Sequence, residues 1–228
     1  MSENNPNSLH KEFELERIIL FSDAVFAIAI TLLIIEIKFP ELPENYKEGI
    51  NLFTLFRPTL NHFVGFLISF SLIGFSWARH LSTFRYLKGY DTGLILRNLI
   101  CLLFIVTFPF SAEGITHLRP SFMFPMLIYI GNIMLVSVSH FALAHYIFKQ
   151  KPQLSSSGHA AEKKYIYMIA KVTAIGLFLV FTVMLATALI SHFDNNYINY
   201  SSLAFVPLGI AVRLTTKKYK PKKSEGLL

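Results

Sequence analysis

Charge is scarce in this chain of 228 residues. Only 15% are Asp, Glu, Lys or Arg, while 53% are hydrophobic and the mean hydropathy is +0.49. A soluble domain carries about 25% charged residues. The shortage excludes an ordinary soluble domain and points to an integral membrane protein. Cysteine is nearly missing: Cys101 stands alone, so no intrachain disulfide can form. The chain lacks a Gly-rich phosphate loop, an HExxH pair and any Cys/His cluster with metal-ligand spacing. Asp23, His80 and His140 could be imagined as acid/base groups, but no nucleophile or ligand spacing supports them. An enzyme is therefore not expected, nor is a cofactor. No cleavable secretory signal is evident: the first apolar run follows an N-terminus rich in Asn and Glu and is too long for an h-region.

What the chain has is apolar length. Six segments approach the ~20 residues that cross a bilayer: 17–38, 60–78, 92–111, 123–148, 165–191 and 199–215. The expected fold is all-α, one six-helix transmembrane domain over 1–228, with a flexible N-terminus (1–12) and a basic tail (216–228). The net charge of +7 reads as topological rather than as a nucleic-acid surface. Even-numbered connections hold Arg79, Arg85, Lys88, Lys149, Lys151, Lys163 and Lys164, and the tail adds five lysines. Odd-numbered connections hold only Lys47, Arg57 and Arg119, with Lys38 at an edge. The positive-inside rule then expects both termini in the cytoplasm of a multi-pass protein of the cell membrane.

The first segment, RIILFSDAVFAIAITLLIIEIKF, is unusual because its opening third carries Arg17, Ser22 and Asp23. Ionisable groups inside a span are costly and face protein or water. On a helical wheel Ile28, Thr31, Leu32 and Ile35 share one stripe. Ala24 extends it inward, Glu36 flanks it outward, and Asp23 lies on the opposite side with Ile30 and Ile37. Such stripes commonly mean only helix packing. Three features favour an ion pathway instead: the hydroxyl of Thr31, the carboxylate of Glu36 at the outer mouth, and a carboxylate on the far face that needs protein partners. Four such helices around an axis would stack apolar rings at Ile28, Leu32 and Ile35, a hydrophobic gate that could close by dewetting.

The pattern RxxxFSDxxFAIAxTLL, carried by Arg17, Phe21, Ser22, Asp23, Phe26, Ala27, Ile28, Ala29, Thr31, Leu32 and Leu33, resembles the signature of the transmembrane-protein-175 family of potassium channels. One six-helix copy resembles its prokaryotic, single-repeat branch. The resemblance implies a homotetramer in the lipid bilayer, with potassium as the permeant ion. It implies the tightest pore ring at Ile28, further layers at Leu32 and Ile35, and a contribution of Thr31 to potassium preference. Arg17, Phe21, Ser22 and Asp23 would instead fix the first helix against the second and third. The carbonyl filter TVGYG of the usual potassium channels is absent, and KGYDTG reads as a turn.

Partners for the buried charge are expected on the next two segments: Trp77 and His80, which resemble the family's W-x-x-H element, and Asn98. Asp23 can accept from Arg17, the Trp77 indole or a His80 nitrogen. Each residue has a plainer alternative: a boundary anchor for Trp77, a solvated loop residue for His80, a snorkelling side chain for Arg17. Two functional alternatives also stay open, a proton channel and a proton-coupled secondary transporter using Asp23 and His80 as a relay. Transporters often show repeats and broken helices, and neither is clear here.

Overall fold

The structure is a computed structural model that describes residues 6–40, 52–116, 124–193 and 201–221. Every regular element among them is helical. Helix α1 runs Pro6–Leu32, α2 Leu52–Phe84, α3 Thr92–Val106, α4 Phe108–Thr116, α5 Phe124–His145, α6 Ala160–Phe193 and α7 Phe205–Tyr219. These make six membrane-crossing segments, because α3 and α4 form one apolar stretch, Thr92–Gly114. Five stretches among the described residues are long and apolar enough to cross a membrane. The sixth is α7 with its leading 3₁₀ turn, Ser201–Ala204. At 1.5 and 2.0 Å per residue the two together rise about 30 Å, the thickness of the hydrocarbon core.

Several boundaries depart from those expected. Helix α1 starts at Pro6 rather than Arg17, and an i,i+4 pair, His10–Glu14 at 3.3 Å, lies on its added turns. Helix α2 starts at Leu52, eight residues before the expected 60, and carries Pro58 inside it. Pro109 explains the break between α3 and α4: it has no N–H to bond back to Ile105 and sits in the first turn of α4, where none is needed. Asn132 of α5 bridges that break. Its Oδ1 accepts from Thr107 Oγ1 at 3.1 Å and its Nδ2 donates to Ser111 Oγ at 3.0 Å. Pro43, Lys47, Arg119, Lys222 and Lys223 lie outside the described residues.

Two buried clusters hold the bundle. The larger joins Phe26 of α1 and Leu33, which follows it, to Ile73, Ile105, Phe108, Tyr129 and Val180. The smaller, Phe84, Leu94, Leu143, Tyr146 and Ile147, lies at one end. In lipid such packing works by van der Waals fit rather than by escape from water. At that same end the α2–α3 and α5–α6 connections meet in one antiparallel bridge, Leu87 with Ser155. Lys88 N donates to Leu154 O at 2.9 Å and Ser156 N to Tyr86 O at 2.7 Å. Glu14 of α1 accepts from Tyr90 there, and Lys164 lies over the Tyr219 ring at the end of α7. The lysine-rich connections and the described ends of α1 and α7 therefore gather at one end of the bundle.

Asp91 organises this end. Its Oδ1 caps α3 by accepting from Leu94 N at 2.8 Å, and its Oδ2 accepts from Tyr146 Oη at 2.8 Å. Partial burial opposes its ionisation. The two hydrogen bonds, with Lys151 and Arg97 nearby, outweigh that and hold the carboxyl below its ordinary value.

Candidate functional site

The polar residues of α1, α2 and α3 form a chain in which each link sets the next. Ser22 Oγ donates to Ile18 O at 2.8 Å, a bond within α1. Its hydrogen is thereby committed, so it can only accept from a neighbour. Asn98 Nδ2 supplies that bond at 2.8 Å, which fixes the orientation of the Asn98 amide. Asn98 Oδ1 is then an acceptor and lies 2.8 Å from His80 Nε2, so Nε2 carries the proton. The ring of His80 stacks on Phe84 at 4.1 Å and leans on Phe26 at 5.4 Å. Ser22, His80 and Asn98 are all essentially inaccessible. This is what lipid demands: a polar group inside the bundle is tolerated where protein satisfies it.

Asp23 is one residue further along α1, and its partner is Trp77, whose Nε1 donates to Oδ1 at 2.8 Å. The indole is half-exposed and the carboxylate only partly buried. Among the described residues Asp23 pairs with neither Arg17 nor His80. The physical reason is angular. Arg17 and Asp23 are six residues apart, about 120° round the helix. Arg17, Phe21 and Asn98 instead border one cleft beside α3. His80 lies three residues beyond Trp77 on α2 and is buried, and the amide of Asn98 takes up its Nε2.

The opposite face of α1 is bare. Ile28 is 57% exposed, Leu32 40% and Ile35 66%, whereas Phe26, Ala29 and Leu33 are buried. Ala24, Ala27 and Thr31 share the open face. Thr31 Oγ1 donates to Ile28 O at 2.9 Å, which leaves its lone pairs pointing away from the helix. The last turn is not α-helical: Leu33–Glu36 is a 3₁₀ segment, tighter and longer per residue. It turns Ile35 some tens of degrees from its expected azimuth but leaves it on the open side. The side chain of Glu36 lies outside the described residues.

Some of the polar chemistry is not evident in sequence spacing. His140 of α5 lies edge-on to His80, with ring centroids 6.0 Å apart, and its Nδ1 donates to Val136 O at 2.9 Å. Cys101 Sγ stands 3.4 Å from the same nitrogen. The histidine at 140 is visible in the sequence, but its approach to His80 depends on the α2–α5 crossing. Among the described residues no group of three or more His, Cys, Asp or Glu side chains could hold a metal ion.

A family profile described as "Endosomal/lysosomal potassium channel TMEM175" matches residues 17–109, the stretch containing every link of the Ser22–Asn98–His80 chain and the Asp23–Trp77 pair. A potassium channel of Chamaesiphon minutus is 30% identical over 151 residues, which cover 62% of this chain and 72% of that one. The chain belongs to the TMEM175 family. A potassium channel of Chryseobacterium sp. (strain P1-3) is 27% identical over 164 residues, 70% of this chain and 80% of the relative. The bovine endosomal/lysosomal proton channel TMEM175 is 26% identical over 171 residues, 72% of this chain but only 36% of the longer relative. The chain thus spans most of the length of these bacterial relatives and about a third of the bovine one. The fold agrees with the crystal structure of a lysosomal potassium-selective channel TMEM175 homolog from Chamaesiphon minutus. The TM-score is 0.66 at 21% identity, over 89% of this chain and 98% of that one.

Proposed function

We propose that this protein is a potassium-selective channel in which four copies pack their α1 helices around a common axis. The observation that carries the proposal is the division of α1 into two faces. One is sealed by Ser22, Phe26 and Leu33; the other leaves Ile28, Thr31, Leu32 and Ile35 uncovered in the single chain. A lone helix per subunit cannot enclose a pore, so the open stripe needs copies of itself. In the tetramer Ile28, Leu32 and Ile35 form successive apolar rings that gate by dewetting and pass partly hydrated ions. Thr31 turns its oxygen lone pairs toward the passing cation, and Glu36 stands at the outer mouth. The ions permeate without a bound cofactor. Residues 1–228 act as one unit in the cell membrane, with both termini on the cytoplasmic side where the lysine-rich connections gather. Arg17, Phe21, Ser22, Asp23, Trp77, His80 and Asn98 hold α1 in place rather than conduct.

The test is a reversal-potential measurement on purified protein in liposomes under opposed potassium and sodium gradients. Wild type reverses near the potassium equilibrium potential. Ile28→Asn carries more current and reverses nearer zero, because a polar ring admits hydrated sodium. An Ile28→Asn channel with wild-type reversal would remove Ile28 from the constriction. The name of the bovine relative supports a second permeant ion, the proton. A reversal potential that follows an imposed pH gradient at fixed potassium would support that reading, and saturable flux without single-channel events would support a proton-coupled transporter.

A further inference from the structure

At the end of the bundle where the basic connections gather, a cavity of about 470 Å³ opens between the end of α5 and the start of α6. Lys149, Lys163 and Lys164 line it together with Ser155, and no carboxylate does. Among the described residues none of these lysines is in an ion pair. The ammonium of Lys149 lies over the Tyr167 ring at 5.6 Å, and that of Lys163 over the Tyr86 ring at 5.7 Å while donating to Ser156 O. Ala160, the first residue of α6, is also on the wall, so the positive end of that helix opens at the same place.

The decisive atom is Ser155 Oγ. Ser155 is 7% exposed, and its hydroxyl oxygen is a buried side-chain atom with no hydrogen-bond partner. Buried polar groups are almost always satisfied, and an orphan asks for a missing partner. A hydroxyl donor, three ammonium groups and a helix N-terminus, with no acid among them, describe an anion with several acceptor oxygens. The remaining wall is apolar, with Phe148, Pro152 and Met168. The cavity also lies where the apolar stretches of α5 and α6 end, at Gln150 and Ala160. We propose that this cavity binds a phosphate group, presented by an anionic lipid headgroup or free in solution, and that Ser155 donates to it while Lys149 and Lys164 neutralise it.

The proposal does not draw on how α1 conducts, and its test reads binding alone. Full-length protein in neutral detergent is titrated with short-chain phosphatidic acid, with short-chain phosphatidylcholine and with inorganic phosphate, by thermophoresis. Wild type binds phosphatidic acid saturably, and weakening with added salt is expected. Ser155→Ala and the double variant Lys149→Gln/Lys164→Gln each weaken binding by about tenfold, the scale of one hydrogen bond to a charged group. Lys163 is left in place because it supports the connection. Inorganic phosphate that binds with the same dependence on Ser155 identifies a soluble source. Phosphatidic acid binding that phosphate does not displace identifies a lipid source. Absence of saturable binding of either ligand to wild type overturns the proposal, as does binding that both folded variants retain in full.

Discussion

The two faces of α1 invert the usual arrangement of a soluble helix. The sealed face carries the hydrogen-bonding groups, Ser22 and, at its edge, Asp23. The open face is aliphatic, with Ile28, Leu32 and Ile35. In water the open face would be the liability. In lipid the polar groups are, because nothing outside the bundle can hydrogen-bond them. The same helix thus separates two demands by azimuth. One side settles where α1 stands, and the other, in the proposed channel, is left free for copies of itself and for ions.

That separation can be broken most directly at Asn98. Asn98→Ala strands the Nε2–H of His80 and removes the donor to Ser22, leaving a buried donor unpaired at a cost of about 1–3 kcal/mol. Thermal unfolding in detergent should register a marked loss, and size-exclusion chromatography a loss of the assembled species. Trp77→Phe should cost less, about 1 kcal/mol, since the Asp23 carboxylate it abandons is half-exposed and water can solvate it. Thr31→Val is the opposite test. It should change stability by no more than about 0.5 kcal/mol, yet shift the potassium–sodium reversal potential. A large stability loss with unchanged selectivity would place Thr31 with the packing face instead. The smallest effect is expected at Asp91. Its pKa is held below the ordinary carboxylate value of 3.8, so its charge stabilises the fold above that pH. The contribution fades as pH falls through the lower, folded-state value. Asp91→Asn should therefore show its modest loss of stability at neutral pH, flatten the acid limb of the profile and converge on wild type at the acid end.

Much of the bundle is legible in the sequence because lipid imposes a simple code. Apolar runs of membrane length mark the segments, and the lysine-rich connections mark the end where they gather. Trp77, His80 and Asn98 stand out because polar side chains are rare in such runs. Which of them meets Asp23 is harder to read. Hydrogen-bond direction depends on interhelical distance, and only the Ser22–Asn98 approach makes His80 a partner of the amide rather than of the carboxylate. Backbone irregularities were also hidden. Pro109 announces the α3–α4 break, but no residue type announces the π turn at Tyr146–Gln150, where Tyr146 donates to Asp91 and lies 3.9 Å under Arg97. Helical periodicity likewise assumes an α pitch through Ile35, where the chain has already tightened.

That tightening has a metric consequence. Three residues separate Leu32 from Ile35, and the 3₁₀ segment Leu33–Glu36 lies between and beyond them. At 2.0 Å per residue the step is about 6 Å, against about 4.5 Å for an α-helix. The α-helical step from Ile28 to Leu32, four residues at 1.5 Å, is also about 6 Å, so in the proposed tetramer the three collars would be evenly spaced where a continuous α-helix would crowd the outer two. An ion would then meet the apolar collars at one even interval, so overwinding four residues keeps the rhythm of the rings without changing a side chain.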